Sequence, residues 1–153
     1  MELSAAGLQL IKKSEGFRSG LYVDVAGFRT IGYGHRLTPK DSLPEAIDEV
    51  QALALLEGDV RQAERAVEKL VRVALSQGQF DALVDFCFNM GAGRLAGSTL
   101  LRQLNAGRYT DAGEQLLYWV YAGGVANAGL KARRQAEFEL WTGRESDKAA
   151  HAA

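Results

Sequence analysis

Between residues 45 and 72 the chain carries no proline, and residues that favour helix dominate. Such a run reads as one helix, ~40 Å long at about 1.5 Å per residue. Ile47, Val50, Ala54, Val60, Ala63, Val67 and Leu70 keep a rough helical period along it. Gly58 is its weak point and costs about 1 kcal/mol relative to alanine. In a chain of 153 residues a helix of this length is a connector between two lobes, and the cleft between such lobes is a natural place for a ligand.

The flanks differ in kind. Ser4 can cap a short helix from Ala5, with Leu8 and Ile11 on one face and Gly16 ending it just after Glu15. The stretch "GLYVDVAGFRTIGYG" follows, rich in aromatic and β-branched residues and broken by glycine. It predicts a hairpin turning near Ala26 and Gly27. Beyond the connector, Ser76 to Gln79 matches a capping box, and Phe80, Leu83, Val84, Cys87 and Phe88 form a buried helical stripe. Further helices are expected over 98–105, 111–121 and 130–141, with Gly107 and Gly143 as stops and a frayed tail. The expected fold is α+β and predominantly helical, in one domain over 1–153. It divides into a small β-containing lobe (about 14–44), the connecting helix (about 45–72), a helical lobe (about 73–143) and the tail (144–153).

Composition removes several function classes. With 18 basic and 19 acidic residues the formal net charge is −1, which offers no overall attraction to nucleic acid or to a membrane surface. Cys87 is the sole cysteine, so no internal disulfide can form, and inside the apolar stripe it reads as a packed thiol. The N-terminus lacks the features of a signal peptide, and no apolar run approaches the ~20 residues of a membrane span. No zinc, calcium or nucleotide motif occurs, and the two histidines, His35 and His151, lie far apart. Neither a metal nor a cofactor is expected.

The chemistry concentrates in "KSEGFRSGLYVDVAGFRTIGYGH", Lys13 to His35. Glu15 and Asp24 stand nine residues apart, and Thr30 follows six later. A solvated loop is the plain reading of that spacing. A glycosidase is the sharper one, because glycoside hydrolysis uses one protonated acid and one ionised carboxylate. Glu15 ends a helix, where the carbonyl dipoles are expected to disfavour its charge and to favour the protonated acid. Asp24 lies near a hairpin mouth, open to water, and is expected to stay near its reference value of about 3.9.

The full pattern goes further. "EGFR", "LYVDVAGFRTIGYGH", "QFDALVDFCFNMGAGRLAGSTLLRQLNAG" and "GLKARRQAEFELW" together resemble the phage-type lysozyme (endolysin) family, glycoside hydrolase family 24. The likeness spans essentially residues 4–143. It implies a lysozyme-like fold and a muramidase cleaving the β-1,4 bond from N-acetylmuramic acid to N-acetylglucosamine in bacterial peptidoglycan. Glu15 would be the proton donor, Asp24 the base, electrostatic partner or nucleophile on the opposite face, and Thr30 the residue that positions water. Phe88, Tyr33 and Arg134 are the expected substrate contacts, although core packing is an equal reading for Phe88. One of Arg133 and Arg134 is expected to pair with Glu15 or a neighbour. His35 is expected to be a structural hydrogen-bonding residue. The resemblance further implies a monomer that waits in the host cytoplasm for release through a holin. A lytic transglycosylase and an idle glycan-binding module are the rivals; the presence of Asp24 and Thr30 argues against both.

Overall fold

The computed structural model describes residues 1–24 and 26–143. Helix α1 (Ala5–Glu15) is capped by Ser4, whose hydroxyl accepts from Gly7 N, and it stops where Gly16 takes φ 71°. Three antiparallel strands follow, β1 (Arg18–Val23), β2 (Arg29–Gly32) and β3 (His35–Arg36), in that order across the sheet. Helix α2 (Glu49–Leu70) is the connector. The remainder is α3 (Gln77–Met90), α4 (Ala92–Ala96), α5 (Thr99–Asn105), α6 (Tyr109–Gln115), a 3-10 turn (Leu116–Tyr118), a second hairpin of β4 (Tyr121–Ala122) and β5 (Val125–Ala126), and α7 (Ala128–Thr142). The expected α+β, mainly helical fold is observed. The expected tail, 144–153, lies outside the described residues.

Two apolar clusters hold these elements. The smaller joins Ile11 of α1, Ile31 of β2 and Tyr33 to Ile47, just ahead of α2, and to Ala52, Leu56 and Val60 of α2. The larger surrounds α3, from Ala63 and Val67 at the other end of α2 to Leu104, Leu116 and Trp141. Phe88 is partly buried and packs against both. α3 is therefore buried on every side from Phe80 to Cys87, more than a single stripe predicts. Its tight seat on α7 depends on Gly78, where any side chain would collide with the backbone carbonyl of Leu140. Burial pushes the Cys87 thiol up to about 11, which suits a packed, unreactive sulfur.

Three expectations need correction. The connector begins at Glu49, because Asp48 forms a capping box with Gln51 and Ala46 pairs instead with Gly20 of β1. Its buried stripe is Ala52, Leu56, Val60, Ala63 and Val67; Val50 is 76% exposed, so the predicted phase is right only in the second half. The helix expected over 111–121 ends early. Gly123 and Gly124, at φ 58° and 80°, supply the two positive-φ positions of a tight hairpin between Ala122 and Val125, which draws Tyr121 into a strand. The short helix α4 was not expected at all.

Candidate active site

The sheet register lays out the floor. Tyr22, Thr30 and Arg36 are direct partners across the three strands, so their side chains leave one face. Ile31 and His35 leave the other and meet α2, Ile31 in the small cluster and His35 through Asp59. Thr30 is 2% exposed and donates its hydroxyl proton to the Phe28 carbonyl at 2.9 Å. Its remaining lone pairs can only accept.

Asp24 is fixed by its own turn. Oδ1 accepts from the backbone of Ala26 at 2.9 Å and Phe28 at 2.8 Å, an Asx arrangement that the Ala26-Gly27 turn makes possible. Oδ2 accepts from Arg36 Nε at 3.2 Å, and that guanidinium also covers the Phe28 ring at 4.2 Å. The Phe28 amide, chiefly, with Arg36 and the Ala26 amide, holds the Asp24 carboxyl below its ordinary value. The open-ribbon expectation of a value near reference is thereby corrected: donors from the turn favour the charged form.

Glu15 is held from across the molecule. Arg133 Nη1 on α7 donates to Oε1 at 2.8 Å. Nε and Nη2 of the same guanidinium donate to Oδ2 and Oδ1 of Asp85 on α3, both at 2.9 Å. Burial alone would lower the Arg133 pKa, but Asp85 first and then Glu15 raise it. The other oxygen, Oε2, faces Gly34: a Cβ built there would stand 2.6 Å from it. The second glycine of "GYGH" is therefore the space the carboxyl occupies, and at φ 70° the backbone itself favours glycine. Tyr22 feels the charges of both Glu15 and Asp24; burial, then Glu15, raises its pKa. The two carboxylates thus share one neighbourhood.

Other expected contacts lie elsewhere. Tyr33 is 5% exposed, its ring tilted against Phe17, with its hydroxyl donating to Glu49 at 2.8 Å; it is part of the core. Arg134 is fully buried. It donates to Asn89 at 2.6 Å, faces Glu137 at 2.8 Å and lies over the Phe86 ring. Both are buried, and the arginine that reaches Glu15 is Arg133. Residues missed from the sequence are Tyr22, Gly34, Arg36 and Asp85. A signal existed for Asp85: an acid inside an apolar helix, as in "FDALVDFCF", demands a buried cation, and α7 carries two.

The sequence model of the family described as phage lysozyme matches residues 12–137. The chain belongs to the phage lysozyme family. It is 43% identical over 149 residues to an endolysin of Bacillus phage B103, covering 95% of this chain and 56% of that protein. It therefore spans little more than half of that relative's length. It is 38% identical over 138 residues to the endolysin of Salmonella phage P22, covering 88% of this chain and 94% of the relative. Among solved structures, the muramidase domain of SpmX from Asticaccaulis excentricus superposes with a TM-score of 0.82 at 37% identity, covering 92% of this chain and 97% of the domain. The observed α+β architecture is that of this family.

Proposed function

We propose that the chain is an endolysin muramidase that hydrolyses the β-1,4 bond between N-acetylmuramic acid and N-acetylglucosamine in peptidoglycan and so lyses the host cell to release phage. The observation that carries the site assignment is the unequal environment of Glu15 and Asp24. Family membership and the named relatives support the activity itself.

Glu15 is the proton donor. Arg133 anchors Oε1, which leaves Oε2, above Gly34, as the oxygen that carries the proton to the leaving group. Asp24, with donors on both oxygens, is the ionised partner on the other side of the sugar. Thr30 has committed its proton to Phe28. It accepts a hydrogen from water and leaves that water's lone pairs free for attack. Phe88, between the two clusters, is the aromatic we assign to the sugar groove. The protein acts as a monomer, uses no cofactor, and is held in the host cytoplasm until a holin opens the way to the wall. Among the described residues no helix is long and apolar enough to cross a membrane.

The test is hydrolysis of a defined peptidoglycan fragment, followed by the anomeric form of the product, beside lysis of permeabilised Gram-negative cells. Glu15→Gln should fold normally and lose at least about a thousandfold in rate, the upper part of what a general acid contributes. Wild-type-like turnover by that variant removes Glu15 from the mechanism. Anhydro-sugar ends would identify a transglycosylase instead.

A further inference from the structure

Behind Glu15 lies a layer of charge that the reaction as described does not use. Asp85 is wholly buried on α3, a helix otherwise lined from Phe80 to Cys87 by apolar side chains and Asp81. Asp81 has its own partners, the backbone and hydroxyl of Ser4 and the amide of Gln77. Asp85 has Arg133, in a two-pronged contact at 2.9 and 2.9 Å. Arg133 is itself only 7% exposed. Planar bidentate pairing of this kind fixes the orientation of a guanidinium as well as its place.

We propose that Asp85 is a positioning residue: by clamping Nε and Nη2 of Arg133 it turns Nη1 alone toward Oε1 of Glu15 and shares the cation's charge. This rests on the reading of Glu15 as the proton donor. A bare guanidinium at 2.8 Å would favour ionised Glu15 strongly and deprive the acid of its proton. One whose charge is already answered by Asp85 anchors Oε1 without stripping the proton from Oε2. The layer closes with Glu137 on α7, fully buried, facing Arg134 at 2.8 Å with no well-aligned donor on either oxygen. Burial, and then Asp85 beside it, push its pKa up. The charged and titratable groups facing the Glu15–Arg133 pair are thus Tyr22 from β1, with Asp24 beyond it, Asp85 from α3, and Arg134 and Glu137 from α7. Lys12 and Lys13 precede Glu15 on α1; Lys12 extends over the Tyr33 ring.

The test is the titration of Glu15 itself, followed by carbon NMR of its side-chain carboxyl, beside the pH–rate profile. Both are measured in wild type, Asp85→Asn and Glu137→Gln. Asp85→Asn should move the Glu15 titration and the alkaline limb of the rate together to lower pH by about one unit. Glu137→Gln, which faces Arg134 and leaves the Asp85–Arg133–Glu15 contacts intact, should leave both in place. An unmoved Glu15 titration in folded Asp85→Asn overturns the proposal and leaves Asp85 a core ion-pair partner only. If Asp85→Asn does not fold, nitrogen NMR of the wild-type Arg133 side chain decides. As Glu15 titrates, the Nη1 signal should respond and Nε should stay fixed; equal responses overturn the clamp. Absence of muramidase activity from the wild type, with the Glu15 titration still dependent on Asp85, would sink the functional reading alone.

Discussion

Asp24 is held by groups no more than four positions away along the chain, apart from Arg36, twelve away. Glu15 is held by Arg133, 118 positions away, which is steered in turn by Asp85 from a third helix. The first carboxylate sits on an exposed hairpin tip whose backbone amides are its solvent. The second stands at the edge of the buried core, and side chains are its solvent. The contrast teaches how one site gives two similar acids different surroundings. Amide dipoles gathered by a turn stabilise a charge cheaply and locally. The other meets a cation that is already answered by a second buried carboxylate, Asp85.

Asp24→Asn is the largest way to break this contrast short of removing Glu15. The amide oxygen can still accept from Ala26 and Phe28, so the turn should persist while the charge and its attraction to Arg36 are lost. A rate loss of about a thousandfold is expected, within the range of a positioned acid or base. The sign follows from the lowered Asp24 pKa. A depressed carboxyl is ionised above its ordinary value of 3.8 and loses its charge only as pH falls through the still lower folded value. The wild-type acid limb should therefore lie below pH 3.8, and the residual activity of Asp24→Asn should show no acid limb while keeping the alkaline one. An unchanged acid limb would mean that Asp24 is not the ionised partner.

Gly34→Ala attacks the Glu15 side of the contrast. The added methyl would meet Oε2 at 2.6 Å and must adopt φ near 70°. The left-handed conformation costs about 1–2 kcal/mol of stability. Displacement of the carboxyl should cost about a hundredfold in rate, as an ångström of misplacement does. Thermal melting and lysis rate measured together separate the two: a stability loss with unchanged kcat would show that Oε2 is not the working oxygen.

The same contrast explains what the sequence made legible. The α1 stop at Gly16, the hairpin turn and the capping boxes at Asp48 and Ser76 are local events, written in residues that touch their neighbours. So is the Asp24 turn, although its two amide bonds were read as an open ribbon. The choice between Arg133 and Arg134 was not legible, because adjacent residues on a helix point about 100° apart and only the packing of α7 on α3 decides which one reaches α1. Tyr33 fell to the same cause: an aromatic beside the motif turned inward to Glu49 and the α2 core. The β4–β5 hairpin was legible in principle, since "GG" flanked by Tyr, Ala, Val and Ala is a hairpin signal. The helical period of the residues before it outweighed that signal.

The smallest effect belongs to His35, where local and distant holds meet on one side chain. Nδ1 lies 2.8 Å from Asp59 of α2 and Nε2 3.4 Å from Asp41, which also accepts from Thr38. The Asp59 hydrogen bond, chiefly, raises the imidazole pKa against the opposing effect of burial, with Asp41 adding to the rise. A raised histidine contributes stability that is complete below its unfolded value of 6.5 and is lost as pH climbs through the folded value. The β3–α2 contact should therefore loosen from about pH 6.5 upward, in the range where the enzyme would work. The side chain is partly exposed, so solvent screens the pair, and a fall of about 3 °C in melting temperature between pH 6 and pH 8 is expected from about 1 kcal/mol. His35→Gln should melt lower than wild type at pH 6 and show no such slope. If its slope matches that of wild type, the pH dependence belongs to another group, and His35 ties the sheet to α2 by a hydrogen bond whose strength does not depend on charge.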